Sequence, residues 1–515
     1  MSNFVLLFIR YNVLGQVYMD KKTFLLLYPF QLFDLKKENI DVDNIDIICL
    51  VEEPLLFYDK IERPFHIHKL RIAFMRASMK HYADYLTNTF HSIRTQYVEY
   101  DDVPTFYKTI KGKHVNIFDL HDRTLYNKLN RTGAKLHITN KDPSFILDKE
   151  DMMSLVKAHA FKENLQQKTV FNHVKAKVNV LVQQKSLDHE NRDSLPSNHV
   201  AQVRQSYFKP KIAKYYDEAE RYVLNHKQFK KHHGNINNLR NLPITHQDAK
   251  KHFDIFLKQR FEQFGPYEDA IHTSDPIIFH SNCSFLINCG LLTPRQVLET
   301  VVAYKMKHPR LPMNSFEGFI RQLLGWREYM RYIYDTHYDD VASIMTKSST
   351  SYAERLSDAW YKGTTGIDPI DTEINKLHTE GWCHHIVRLM VFLNFMKLAE
   401  FKPYAIYRWF MEMVALDAYE WVMWSNIVAM GMYNTRFMAK PYMSGSSYVL
   451  KMSTYKKGPW CKVWDAYFYR YLYKNKSKLK GKYALYLRNL AYFEKLSADE
   501  QNNILRKSSS NRLGL

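Results

Sequence analysis

Residues 23–33, TFLLLYPFQLF, and residues 45–54, IDIICLVEEP, decide the fold of the first part of the chain. Each holds an unbroken apolar run of strand length. A strand with one wet face alternates apolar and polar residues, whereas a strand covered on both faces can be apolar throughout. Residues 68–86, HKLRIAFMRASMKHYADYL, follow with helical spacing and set Leu70, Phe74, Met75 and Met79 on one side. TQYVEY (95–100) and HVNIFDL (114–120) read as further strands. This order predicts an α/β domain over 23–150, with a doubly wound parallel sheet. No glycine-rich phosphate fingerprint follows the first strand, so a dinucleotide is not required there.

Outward from this domain the character changes. Residues 1–22 read as an extension. Their apolar run is short, is broken by Arg10 and lacks a small-residue cleavage site, so neither a signal peptide nor a membrane span is expected. Residues 151–240 form a helical and irregular connection, most polar over 181–211. From 241 to 505 helical periodicity dominates, in 244–264, 293–306, 315–335, 384–400 and 404–416. This predicts a large all-α C-terminal domain, with Asn314 and Glu317 as a capping box and 506–515 as a loose tail.

Composition narrows the partners. The 515 residues are 46% hydrophobic, enough for a sizeable core. Lys and Arg outnumber Asp and Glu by 73 to 53, a net charge of +20. Such a surplus favours a polyanion, most simply nucleic acid, because phosphate contacts release counterions. Five cysteines without a C-x-x-C pair exclude a disulfide scaffold and suit a reducing, intracellular compartment.

Several stretches carry candidate chemistry. FHSNCSFLINCGLL (279–292) sets His280, Ser281, Asn282, Ser284 and Asn288 between apolar runs, at an expected helix start suited to phosphate. Gln322, Arg327 and Arg331 form a polar edge in GWREYMR and the residues before it. ALDAYEWVMWSNIVAMGMY (415–433) places Asp417, Glu420 and Asn426 among tryptophans and methionines, and a buried acid or amide there needs a partner. GWCHHIVRLMV (381–391) sets Cys383 beside His384 and His385. Adjacent helical residues point about 100° apart, and neither histidine has a ligand at i+4, so no metal is expected. The histidines are either satisfied core residues or an acid in a pocket.

Taken together in order, LLLYPFQLF, LVEEPLLFY, DHENRDSLP, PITHQDA, FGPYEDA, FHSNCSFLINCGLL, FEGFIRQLLGWREYMR, HHIVRLMV, DAYEWV, KPYMSGSSY and KMSTY resemble the photolyase/cryptochrome superfamily. The likeness is to its bacterial photolyase-related class, which repairs (6-4) pyrimidine photoproducts and usually carries an iron–sulfur cluster. It spans nearly the whole chain after residue 22.

The resemblance implies an N-terminal antenna domain, with a lumazine-type chromophore near Glu52, Glu53 and His68, and a helical FAD-binding domain. It implies FAD held by Tyr267, His280, Ser281, Asn282, Ser284, Asn288, Gln322, Arg327, Asp417 and Asn426. His384 or His385, with Tyr442, would face the lesion. Trp409, Trp360 and Tyr361 would carry electrons, although Phe410 and Tyr361 replace the expected tyrosine and tryptophan. UV-damaged DNA would be the partner of a monomer. A cyclobutane-dimer photolyase and a cryptochrome-like light sensor are the alternatives. The cluster-bearing segment reads YKKGPWC (455–461), with Lys456 and Pro459 at two ligand positions and only Cys461 retained. A [4Fe–4S] cluster needs four ligands, so none is expected.

Overall fold

The computed structural model describes residues 22–159, 165–180, 187–196, 212–347, 355–438, 442–479 and 484–508. The expected N-terminal extension, apart from Lys22, and the end of the tail lie outside the described residues.

The first part is a five-stranded sheet in the order β3-β2-β1-β4-β5. The strands are β1 (Thr23–Leu27), β2 (Ile47–Val51), β3 (Arg94–Val98), β4 (His114–Ile117) and β5 (Lys135–Ile138). All four pairings are parallel; Phe24 of β1 sits opposite Ile47 of β2 and Val115 of β4. The apolar runs of β1 and β2 are central and buried, which is why their pattern is continuous rather than alternating. β5 is an edge strand with three exposed positions in four, so it carries no run to read. The Lys69–Thr89 helix covers one face and buries Leu70, Phe74, Met75 and Met79 as expected.

The remainder is predominantly helical. The run expected over 315–335 is in fact two helices, Met313–Ile320 and Arg327–Thr336, joined by a π-helical turn over Arg321–Trp326. The expected Asn314–Glu317 capping box does not form: Pro312 occupies the cap without a side-chain bond, and Glu317 pairs with Arg321 at 3.1 Å. A second π-helical turn covers Val387–Leu393, before Asn394–Leu398. Helices at Pro403–Met413 and Glu420–Met430 follow, then Pro459–Lys474, Ala484–Glu494 and Ala498–Lys507. The last of these carries helix into the expected tail.

Buried charge joins the two parts. Arg63 donates to both oxygens of Asp122 at 2.9 and 3.0 Å and to Glu420 at 2.5 Å. Glu420 also accepts from Tyr334 and Thr124. Its partners on both sides make it a clamp, and removing one partner of such a buried pair costs about 3–5 kcal/mol.

Candidate active site: one cavity between two π-helical turns

A cavity of about 1500 Å³ opens in the helical part. Both π-helical turns supply its wall, through Arg321, Gln322 and Trp326 on one side and Arg388, Leu389 and Met390 on the other. A π turn widens the helix and re-aims side chains, and such turns concentrate at functional sites. The Gln167–Val178 helix closes against the first turn, where the Gln167 side-chain amide reaches the place a Cβ at Gly325 would take.

The residues expected around a cofactor converge here. His280, Ser281, Asn282, Ser284, Asn288, Gln322, Arg327, Asp417 and Asn426 all line the cavity, as do His384, His385 and Tyr442. Asp417 organises one wall. Arg388 Nη2 lies 2.9 Å from both of its carboxylate oxygens. The Ser284 hydroxyl donates to Asp417 Oδ2 and accepts from the Trp382 indole at 3.0 Å. Asn288 donates to the Asp417 carbonyl at 3.1 Å and accepts from Arg327. The hydroxyl of Ser284 is therefore committed within the protein rather than held free for a phosphate. Arg327 lies over the rings of Phe145 and Trp421, at 4.8 and 5.0 Å, and burial pulls its pKa down to about 10.

Asn282 has a left-handed backbone, φ 51°, and its buried Oδ1 meets no protein donor. The buried Gln167 Nε2 likewise meets no acceptor. Buried polar groups are ordinarily paired, so both are open to a bond from whatever fills the cavity.

The two adjacent histidines part company. His384 is 4% exposed, and its ring stacks on His280 at 4.0 Å and 14°. Each ring nitrogen of His280 faces a carbonyl oxygen, of Ile277 and Glu268, at 2.9 Å. His385 stands exposed within the cavity, 6.3 Å from the Trp326 ring. The low-polarity surroundings and then Arg388 lower its pKa to about 4, against the pull of Asp417.

Glu268, to which sequence reasoning assigned no role, also lines the cavity. It accepts from Gln322 and Asn191 and faces Arg321 at 3.4 Å. Burial, eased by Arg321, raises its carboxyl to about 7. It lies in FGPYEDA, so the motif was visible but the acid's burial was not. The pairing of Arg388 with Asp417 joins segments distant in sequence.

Other expected residues lie elsewhere. Tyr267 does not line the cavity; it stacks on Phe279 at 5.2 Å. Trp409 and Trp360 are fully buried, 6.2 Å apart, with the Trp409 indole donating to the Trp360 carbonyl at 2.8 Å. Phe392 of the second π turn packs on Trp409 at 4.7 Å. Tyr361 donates to Glu412 at 2.6 Å and stacks on His233.

Glu52, Glu53 and His68 are all fully buried. Glu52 is held by Arg76 and Tyr97, and Glu53 by Tyr107 and Lys128. His68 is held by the Leu70 amide and the Leu377 carbonyl. These polar atoms serve the protein's own packing, so this trio does not fit a chromophore. The cluster segment does not fit iron–sulfur either. Lys456 turns its carbonyl to the Trp460 indole at 3.0 Å, Pro459 starts a helix, and Cys461 is the only thiol there. The neighbouring Glu373 is buried, accepting from Tyr455 at 2.8 Å and Lys376 at 2.6 Å.

This architecture, a parallel α/β domain beside a helical domain with a deep cavity, resembles that of the photolyases and cryptochromes, and family models of photolyase type match both of its parts. Residues 25–240 match the family described as deoxyribodipyrimidine photo-lyase-related protein. Residues 319–451 match the FAD binding domain of DNA photolyase.

Among characterised relatives is a (6-4) photolyase of Agrobacterium fabrum, 33% identical over 281 residues, which are 52% of this chain and 54% of that protein. The matched region thus spans about half of that relative's length. An uncharacterised protein of Acanthamoeba polyphaga mimivirus is 44% identical over 101 residues, 19% of this chain and 81% of that one. A cryptochrome of Synechocystis sp. PCC6803 shares the fold at TM-score 0.53 and 13% identity, covering 94% of each chain. A bacterial class III photolyase of Agrobacterium tumefaciens does so at TM-score 0.50 and 13% identity, covering 79% of this chain and 80% of that one. Among the described residues no helix is long and apolar enough to cross a membrane.

Proposed function

We propose that the protein is a flavin-dependent, light-driven DNA repair enzyme acting on (6-4) pyrimidine photoproducts. The observation that carries this reading is that one cavity is lined by Asn282, Asn288, Arg327 and Asp417 and also by His385 and Tyr442. Its volume of about 1500 Å³ exceeds the roughly 300–1000 Å³ of an ordinary small-molecule pocket. There is room for a dinucleotide cofactor and for bases extruded from a duplex, as chemistry on a base requires.

FAD fits the residues present. Arg327 supplies charge for a diphosphate, while Asn282 Oδ1 and Gln167 Nε2 are free to bond its polar edges. The Arg388–Asp417 pair fixes the wall on which a flat ring would rest. When bound and reduced, FAD supplies the light-driven electron.

The chain supplies the proton. Oxygen transfer within a (6-4) lesion needs a proton moved in step, and an imidazole is the group suited to this near neutrality. His385 stands in the cavity, whereas His384 is committed to its stack on His280. Desolvation first, and then Arg388, hold His385 down, against the pull of Asp417. Lys168, Lys175, Arg192 and Lys451 border the cavity and suit a phosphate backbone.

The test is illumination of FAD-loaded protein with oligonucleotides carrying either a (6-4) product or a cyclobutane dimer. Loss of the (6-4) product alone supports the reading. Loss of the dimer alone would mean a cyclobutane-dimer photolyase. The packing of Tyr361 on Glu412, where the family resemblance implies a tryptophan, favours a light sensor as the second reading; a light-dependent flavin change without loss of either lesion would select it.

A further inference from the structure

Two exposed large apolar side chains lie near this cavity, at the two ends of one series of rings. Tyr473 is 51% exposed and Tyr492 is 60% exposed. They belong to the Pro459–Lys474 and Ala484–Glu494 helices. The rings form a continuous series that starts at the cavity wall. Tyr469 lines the cavity and stacks on Phe493 at 5.4 Å and 15°. Phe493 meets Tyr473 at 6.0 Å, and Tyr469 meets Tyr492 at 6.3 Å. Tyr469 and Tyr473 are four residues apart and so share a helix face, as do Arg488 and Tyr492.

The surrounding charge is positive. From 467 to 495, among the residues whose side chains are described, five are Lys or Arg (Arg470, Lys474, Lys476, Arg488 and Lys495) and one is an acid, Glu494. Two nearby acids are paired with cations, Glu494 with Lys476 at 2.5 Å and Glu400 with Arg470 and Lys474 at 3.1 and 2.7 Å, while Asp465, which faces Tyr469, accepts from Ser446 instead. Arg488 and Lys495 remain exposed beside Tyr492.

We propose that this face is a second nucleic-acid contact: a stacking platform for unpaired nucleotides of DNA, continuous with the cavity mouth. It rests on the reading that the cavity receives bases extruded from DNA. In an intact duplex the bases stack on one another and offer only phosphates to a neighbouring surface. Extrusion of a lesion leaves nucleotides of the opposite strand without partners, and an exposed aromatic face flanked by cations captures such bases. Base–aromatic stacking tolerates any sequence, which a repair enzyme requires of everything but the lesion.

The test is fluorescence anisotropy of the full-length protein, at one salt concentration, with labelled single-stranded oligothymidine and with an undamaged duplex of equal length. A Tyr473→Ala/Tyr492→Ala variant is expected to lose about ten-fold or more in single-strand affinity, while duplex affinity moves little. A Tyr473→Phe/Tyr492→Phe variant keeps the rings and is expected to keep the affinity. Flavin content is expected to be equal in all three. Unchanged single-strand affinity in the alanine variant overturns the platform alone. Failure of the wild-type protein to bind either DNA overturns the cavity reading and the platform with it.

Discussion

The imidazoles of His280 and His384 lie 4.0 Å apart and 14° from parallel, while the adjacent His385 stands in the cavity. The two histidines that sequence alone could not separate thus differ in surroundings: both line the cavity, but His384 is buried in its stack and His385 is exposed. Replacing His384 by Ala is expected to lower stability by at least about 1 kcal/mol through the lost stack. Thermal unfolding measures this, with His385→Ala as the variant that leaves the melting temperature nearly unchanged.

Asp417 holds Arg388, Ser284 and, through its carbonyl, Asn288. Asp417→Asn leaves Arg388 as a buried cation without its partner, a change costing about 3–5 kcal/mol. Flavin absorbance per mole of purified protein is expected to fall sharply in this variant. A full flavin complement would remove Asp417 from the cofactor wall.

Acid should loosen the join between the two parts of the chain. Burial lowers His68 and His232 to about 3. Both rings stay neutral when folded but charge below about 6.5 when unfolded, so the unfolded chain binds more protons in that window. Stability is therefore complete above about 6.5 and falls as pH drops toward 3, by roughly 1.4 kcal/mol per unit and per histidine. His232→Asn keeps a polar group near the Ile67 carbonyl without the titration. Its denaturation midpoint is expected to fall less between pH 6.5 and 5 than that of the wild type.

The segment Tyr455–Cys461 cannot assemble four thiolates. Anaerobic reconstitution with iron and sulfide is expected to leave less than one iron per chain after desalting. Near-stoichiometric cluster iron would contradict this and require ligands from elsewhere.

The fold was legible where burial leaves a pattern. The runs in β1 and β2 announced a parallel sheet because both faces of those strands are covered. β5 escaped because an edge strand has no such run. In the helical part, period alone could not reveal the π turns at Arg321–Trp326 and Val387–Leu393, since one extra residue per turn leaves a short apolar pattern intact.

The candidate site was legible as a set of residue types but not as a set of pairings. Asp417 and Arg388 are 29 residues apart, and no local rule joins them. Tyr267 was carried by likeness of motif and does not line the cavity. Glu268, next to it, does, because its carboxyl meets Gln322, Asn191 and Arg321 from three other segments.

The central claim is that His385 moves the proton in repair of a (6-4) lesion. Its most direct test is light-driven loss of the (6-4) product by wild type and by His385→Ala, compared at equal bound flavin and equal DNA occupancy. Repair by the wild type and a loss of about 10²–10⁴-fold in the variant are expected, as for removal of a general acid. Equal repair by the two proteins would contradict it.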